Sequence, residues 1–161
     1  MLKKIIAKLF ASFIVRQIES TYSKAAKIQK QTLIKLIKKA SKTQFGLDHN
    51  FNNINDLKSF KSLVPGRDYE GIKSYIDKVK NGEENILWPG KPRYFAKTSG
   101  TTSGAKLIPI SNESMPYHIK SSRDALLFYI NKTGKTDFLS GKTIFIQGSP
   151  VLENINGIKT G

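Results

Sequence analysis

Ten residues near the middle of the chain, KTSGTTSGAK at 97–106, separate two short apolar runs. The run YFA precedes them at 94–96, and the run LIPI follows them at 107–110. Short apolar runs on either side of a glycine-containing segment are typical of two strands joined by a loop. The sequence therefore predicts strand, loop and strand here, which excludes a purely helical fold.

The loop itself has the chemistry of an anion site. Gly100 and Gly104 leave the backbone free to turn and to present its N–H groups without obstruction, and successive N–H groups form a concavity that attracts anions. Hydroxyl donors and a lysine charge add to this. The predicted phosphate-binding residues are Ser99, Gly100, Thr101, Thr102, Ser103, Gly104 and Lys106.

Two other interpretations of the loop compete with an anion site, and the spacing of its residues disfavours the first of them. A Walker-type loop needs four residues between its glycines and a Lys-Ser/Thr pair opening a helix. Here three residues separate Gly100 from Gly104, and Pro109 would interrupt the helix. The other interpretation, a flexible Ser/Thr/Gly-rich hairpin loop with no ligand, is common for such segments.

The first part of the chain has helical periodicity. One helix is predicted through Ile18, and a second contains Ile28 and Ile37 and ends at Phe45-Gly46, since glycine commonly follows a helix C-terminus. Asn55 is the predicted N-cap of a short helix. Two further short helical pieces are predicted around 69–73 and 75–79.

After the hairpin the pattern predicts one long helix and one strand. Ser111 to Ser114 offer caps, Pro116 fits a first helical turn, and the apolar spacing continues to Lys132. Residues 143–146 have the pattern of a buried strand. The last residues, GIKTG at 157–161, suggest no closing element, and we expect the chain to be truncated there.

The N-terminal segment MLKKIIAKLFASFIV is predicted to be an amphipathic helix that packs on its own protein. A secretory signal is disfavoured because Lys8 interrupts the apolar stretch and no cleavage site follows. The longest apolar run is far below the roughly 20 residues of a membrane span. The predicted buried face consists of Ile5, Ile6, Leu9, Phe10, Phe13 and Ile14.

The amino-acid composition limits the classes of partner that we expect for this chain. The net charge is +15 over 161 residues, which favours anionic ligands, but the lysines are scattered at helical intervals and only four arginines occur. No nucleic-acid-binding signature accompanies them, so nucleic acid is not the expected partner. The chain has no cysteine, which excludes disulfides and thiolate metal sites and favours the cytoplasm. Its two histidines are too few for a metal cluster.

The loop resembles a known signature. TSGTTSGAK at 98–106 is similar to the ATP-phosphate motif of adenylate-forming enzymes, the superfamily of acyl-CoA synthetases and firefly luciferase. Its context resembles the auxin-responsive promoter (Gretchen Hagen) family of acyl-acid amido synthetases, particularly the bacterial members. The similar segments run in order over nearly the whole chain: TQFGLDHNF (43–51), VPGRDYEGIKSYI (64–76), GEENILWPGKP (82–92), SRDALLFYI (122–130) and QGSPVLENINGIKTG (147–161).

This resemblance implies an enzyme that adenylates a carboxylic acid with ATP and Mg²⁺ and then transfers the acyl group to an amino acid. The implied fold is mixed α/β: N-terminal helices (1–85), then β-loop-β-α-β (86–161), together the first part of the large adenylation domain with an incomplete sheet. The family's adenine and ribose motifs, Mg²⁺ ligand and C-terminal domain lie further along the chain. We therefore expect residues 1–161 alone to be inactive and to require the remainder of the polypeptide.

The resemblance also implies roles for individual residues. The loop residues would wrap the β- and γ-phosphates and Lys106 would supply charge, or would secure the loop against a neighbouring carboxylate; none is a general base, and no metal ligand is assigned. Tyr117, His118 and Arg123 would border the acyl-acid pocket. Alternatively they are ordinary helix residues, with Arg123 paired to Asp124 or Glu113. Other functions left open are an acyl-CoA ligase and a non-catalytic module that binds phosphate or polyanions.

Overall fold

A computed structural model of the protein describes residues 2–98, 105–142 and 152–161. Two compact units are present: Met1–Ala25 with Glu113–Gln147, and Ala26–Asn112 with Gly148–Gly161. The described elements are helices and an open four-stranded sheet, which confirms the predicted mixed α/β class. The predicted strand at 143–146 lies outside the described residues.

The elements follow one another in this order. The helices are α1 (Leu2–Glu19), α2 (Ala25–Ala40), α3 (Gln44–Asp48), α4 (Leu57–Leu63), α5 (Tyr69–Lys80) and α6 (Met115–Thr133). The strands are β1 (Tyr94–Lys97), β2 (Leu107–Ile110), β3 (Glu153–Ile155) and β4 (Ile158–Thr160). Single 3₁₀ turns occur at Tyr22–Lys24, Phe51–Asn53 and Asp137–Ser140.

In the first unit, α1 packs against α6. Ala11 is fully buried and lies in one cluster with Leu127 and Ile130 of α6, and Ile14 packs against this cluster. The predicted buried face of α1 is wrong for five of its six residues. Ile5, Ile6, Leu9, Phe10 and Phe13 are 45% to 67% exposed. The buried residues of α1 are instead Ala11 and Val15, and the contact with α6 passes through Ala11, whose small side chain lets a second helix approach closely.

The ends of α6 follow its sequence signals. Ser114 is the N-cap, Pro116 lies in the first turn, and the helix ends before Gly134, which has φ 68°. The predicted helix to Lys132 is confirmed to within one residue. No helix in the described part of the chain is long and apolar enough to cross a membrane.

In the second unit, the predicted end of the second helix is wrong. α2 ends at Ala40, and Gly46 lies inside the next helix, α3. The Thr43 hydroxyl caps α3: Oγ1 accepts a hydrogen bond from the Gly46 N–H at 3.1 Å and donates one to the Ala40 carbonyl at 2.7 Å. A Cβ on Gly46 would lie 2.1 Å from the Ala40 oxygen. The glycine is therefore required by a close turn between two helices and not by a helix end.

Two further helix predictions need correction. Asp56, and not Asn55, caps α4: its carboxylate accepts from the Ser59 N–H at 2.7 Å, and Ser59 Oγ accepts from the Asp56 N–H at 3.2 Å. The bonds that the Asp56 carboxylate accepts from the Ser59 N–H and then from the Ser59 hydroxyl, at 2.7 Å, lower the pKa of Asp56. The two predicted pieces at 69–73 and 75–79 form the single helix α5. It is capped by Asp68 and buries Ile76 and Val79 in its second half.

The sheet has the strand order β2-β1-β4-β3. β1 and β2 are antiparallel, which confirms the predicted strand-loop-strand unit, and β4 is parallel to β1. The expectation that the last residues form no closing element is wrong, because β3 and β4 form a hairpin there. Its turn is Asn156-Gly157, with φ 49° and 85°, and Asn-Gly is a strong hairpin signal.

The core of the second unit has two parts. Phe95 of β1 is fully buried and lies in one cluster with Val79, Ile86 and Ile158. A second cluster contains Ile37 and Ala40 of α2 together with Phe51 and Ile54, and Trp88 packs against it. Because α5 and β1 share the first cluster, the start of the predicted phosphate loop is tied to α5.

Candidate phosphate-binding hairpin

The hairpin formed by β1 and β2 carries the predicted phosphate loop. Lys97 lies opposite Leu107, and the Thr98 N–H donates a hydrogen bond to the Lys106 carbonyl at 3.0 Å. The two ends of the loop are therefore held side by side. The predicted residues Ser99, Gly100, Thr101, Thr102, Ser103 and Gly104 lie outside the described residues, and Lys106 is described.

The lysines at the two ends of the loop have different surroundings. Lys97 Nζ lies 3.1 Å from Glu153 Oε1 and forms an exposed ion pair with it. Lys106 Nζ lies 5.3 Å from the ring centroid of Tyr69. The ion pairs within the described residues do not include Lys106. An aromatic face attracts an ammonium group without cancelling its charge, so Lys106 keeps a full positive charge at the mouth of the hairpin.

Tyr69 makes a second contact with the hairpin. Its hydroxyl accepts a hydrogen bond from the Leu107 N–H at 3.0 Å. Sequence reasoning did not identify Tyr69, which lies 38 residues before Leu107. No local pattern could have found it, because the contact arises only when α5 packs beside β2.

The segment before Tyr69 is anchored by a histidine. Arg67 Nη2 lies 2.6 Å from His49 Nε2. An arginine can only donate, so Nε2 is the acceptor and the ring proton is on Nδ1, where it is donated to the Phe45 carbonyl at 2.8 Å. His49 is buried and stacks on Phe45 with 4.1 Å between centroids. The start of α5 is thus attached to α3.

A tyrosine from the middle of α5 adds to this attachment. The Tyr75 hydroxyl donates a hydrogen bond to Asp48 Oδ2 at 2.8 Å. Burial, followed by the bond to the Asp48 carboxylate, raises the pKa of Tyr75. α5 is therefore held to α3 at both Arg67 and Tyr75.

The predicted substrate-contacting residues lie in the first unit, on α6. Tyr117 is 65% exposed, and His118 is also exposed. Arg123 donates from Nε and Nη2 to Asp124 Oδ1 at 3.0 and 2.7 Å, which is the local pairing considered as an alternative. Lys120 also bonds to Asp124, and the hydrogen bonds from Lys120 and then Arg123 lower the pKa of the Asp124 carboxyl group. The roles of Tyr117, His118 and Arg123 stay predictions.

The described residues do not fit a metal centre. Within 2–98, 105–142 and 152–161, no group of three or more His, Cys, Asp and Glu residues could hold a metal ion. Anion binding by the loop residues and the Lys106 ammonium stays a prediction.

Comparison with known proteins identifies the family. Residues 14–151 match the model described as the GH3 family N-terminal domain. A jasmonoyl–L-amino acid synthetase of Nicotiana attenuata, JAR4, is 26% identical over 151 residues, which cover 92% of this chain and 26% of that protein. The indole-3-acetic acid-amido synthetase GH3.15 of Arabidopsis thaliana is 33% identical over 123 residues, or 74% of this chain and 20% of that protein.

A solved structure agrees with these relatives. The AtGH3.15 acyl acid amido synthetase in complex with 2,4-DB superimposes with a TM-score of 0.77 at 26% identity, over 91% of this chain and 26% of that one. The chain spans about a quarter of the length of the curated relatives it matches. The family model covers most of the chain, so this protein belongs to the GH3 family and carries that family's N-terminal domain.

Proposed function

We propose that the protein containing this chain is an acyl-acid amido synthetase of the adenylate-forming superfamily. A carboxylate oxygen of the acid attacks the α-phosphorus of ATP, and pyrophosphate leaves. The amine of an amino acid then attacks the acyl carbonyl, loses a proton and expels AMP, which leaves an amide. The names of the relatives, amido synthetases of jasmonic and indole-3-acetic acid, support this proposal.

We assign to this chain the binding of the pyrophosphate that leaves in the first step of the reaction. The carrying observation is the Lys106 ammonium, which lies at the mouth of the hairpin without a carboxylate partner among the described residues. Negative charge accumulates on the β- and γ-phosphates as the bond between the α-phosphorus and the bridging oxygen breaks. Fixed hydrogen-bond donors and cations around that charge lower the activation barrier of this step. Ser99 to Gly104 would supply the N–H and hydroxyl donors.

The cofactors and the domain assignment belong to the same proposal. ATP and Mg²⁺ are the proposed cofactors, and Mg²⁺ neutralises phosphate charge when it is bound to ATP. We assign no Mg²⁺ ligand to the residues that the structure describes, among which no group of three or more His, Cys, Asp and Glu residues could hold a metal ion. We assign residues 1–161 to the first part of the large adenylation domain of a cytoplasmic enzyme similar to bacterial family members.

Isotope exchange tests the role of the loop. The assay measures the incorporation of labelled pyrophosphate into ATP in the presence of the carboxylic acid substrate. In the complete protein, the rate of this exchange should fall about 100-fold in the Thr102→Val, Ser103→Ala variant. The matched control, Ser20→Ala with Thr21→Val, removes the same groups from an exposed turn after α1 and should leave exchange unchanged. Equal exchange in both variants would remove the loop from the mechanism.

A second measurement tests the acceptor. Amino acids and coenzyme A are compared as acceptors in a screen of carboxylic acids for AMP release. Release that depends on an amino acid supports the amido synthetase, whereas release that depends on coenzyme A supports an acyl-CoA ligase. No AMP release, together with steeply salt-dependent DNA binding, would indicate a polyanion-binding module.

A further inference from the structure

We propose that Tyr69 is a positioning residue that holds Lys106 ready for the phosphates of the nucleotide. This inference rests on the proposed function, because it assigns to Tyr69 a part in phosphate binding by the same hairpin. Tyr69 contacts the first residue of β2 and the residue before it: its hydroxyl accepts the Leu107 N–H, and its ring faces the Lys106 ammonium. One side chain therefore sets both the backbone and the charge at this end of the loop.

The hydroxyl contact holds the strand. β2 has a single neighbour in the described sheet, β1, so N–H groups on its outer edge need acceptors from elsewhere. Leu107 is half-buried and its N–H finds the Tyr69 hydroxyl at 3.0 Å. On the other side, the Lys106 carbonyl accepts the Thr98 N–H. The backbone at 106–107 is thus held from two directions.

The ring contact holds the charge without neutralising it. A carboxylate at this place would pair with Lys106 as Glu153 pairs with Lys97, and the incoming phosphates would have to displace it. An aromatic face attracts the ammonium more weakly and leaves its N–H donors able to bond elsewhere. Lys106 can therefore donate a hydrogen bond to a phosphate oxygen while its ammonium group stays against the ring.

Tyr69 can act in this way only if it is itself fixed. It is the first residue of α5, directly after the capping residue Asp68, whose carboxylate accepts the Gly71 N–H at 2.9 Å. Arg67, two residues earlier, bonds to the buried His49. In the other direction, Val79 of α5 shares a cluster with Phe95 of β1. The ring and the hairpin are therefore parts of one packed structure.

The test measures the effect of the Tyr69 ring separately from that of its hydroxyl, and it asks whether each effect depends on Lys106. In the complete protein, the KM for ATP in pyrophosphate exchange is measured for Tyr69→Phe, Tyr69→Leu and Tyr69→Met, each with and without Lys106→Met. We expect Tyr69→Phe, which keeps the ring and loses only the hydroxyl, to raise KM about threefold, and Tyr69→Leu and Tyr69→Met, which lose both, to raise it about tenfold. Tyr22→Leu, at an exposed tyrosine, is the matched control and should change nothing.

The coupling distinguishes positioning from a general loss of structure. In the Lys106→Met background the loss of the ring should add less than about twofold to KM, and KM for the acid should not change. Full additivity of the two substitutions, or equal effects of Tyr69→Phe and Tyr69→Leu, would overturn the inference. If one ring-less variant does not fold, the other carries the measurement.

A parallel titration with inorganic tripolyphosphate separates this inference from the proposed function. If the wild-type protein lacks exchange but its affinity for tripolyphosphate falls about tenfold in Tyr69→Leu, and not in the Lys106→Met background, the role of Tyr69 stands and the enzymatic proposal fails. If exchange occurs and Tyr69→Leu has the wild-type KM, the enzymatic proposal stands and the role of Tyr69 fails. A protein with neither exchange nor tripolyphosphate binding would refute both.

Discussion

Replacement of Gly46 by alanine should strongly destabilise the second unit. The added Cβ would lie 2.1 Å from the Ala40 oxygen, 3.0 Å from the Ala40 carbonyl carbon and 3.1 Å from Ser41 Cα. All three atoms are backbone, so the turn between α2 and α3 must shift and no side chain can move aside. Overpacking of this kind costs about 1–3 kcal/mol.

The same shift would disturb hydrogen bonds. The Ala40 carbonyl accepts the Thr43 N–H at 3.0 Å and the Thr43 hydroxyl at 2.7 Å, and each bond contributes about 1 kcal/mol. We therefore expect the free energy of unfolding to fall by about 3–5 kcal/mol. With a urea m-value of about 2 kcal/mol/M, the midpoint would move down by about 1.5–2.5 M.

Urea titration followed by tryptophan fluorescence provides the assay. Trp88 is the one tryptophan of the sequence, and it packs against the cluster that contains Ala40, so its emission reports on the region that is perturbed. Gly66→Ala is the matched control, since a Cβ there would meet nothing within 4 Å; it should be neutral or stabilising by up to about 1 kcal/mol. Coinciding midpoints for the two alanine variants would refute the steric argument.

Two further predictions concern packing and acid stability. Phe95→Ala should lower the free energy of unfolding by about 3–5 kcal/mol in the same urea assay, whereas Phe13→Ala, at a side chain that is 63% exposed, should change it little; similar losses would contradict the assigned core. The pKa of Asp56 is lowered in the folded state from 3.8, so its contribution is present above about pH 4 and is lost as the pH falls through the folded value. Asp56→Asn should therefore flatten the decline of the melting temperature between pH 5 and 2, and an unchanged profile would contradict the capping box.

Much of the local structure could be predicted from local patterns. The β1–β2 hairpin is predictable because short apolar runs flank a Gly-containing loop, and the extent of α6 is predictable from the caps offered at 111–114, from Pro116 and from the apolar spacing to Lys132. Capping near Asn55 was predicted one residue too early, because Asn and Asp are both good caps. The reciprocal bond with Ser59 decides for Asp56.

What depends on distant residues was decided only by the tertiary structure. The sequence by itself determined that the N-terminal segment is a helix and that a loop separates two strands near the middle of the chain. The close approach of α6 at Ala11 decides which face of α1 is buried. The need for glycine at position 46 followed from the path of α2, and the contact of Tyr69 with Lys106 followed from the packing of α5 on the sheet. Periodicity and caps report on neighbours along the chain, whereas these features depend on atoms brought together from segments far apart in sequence.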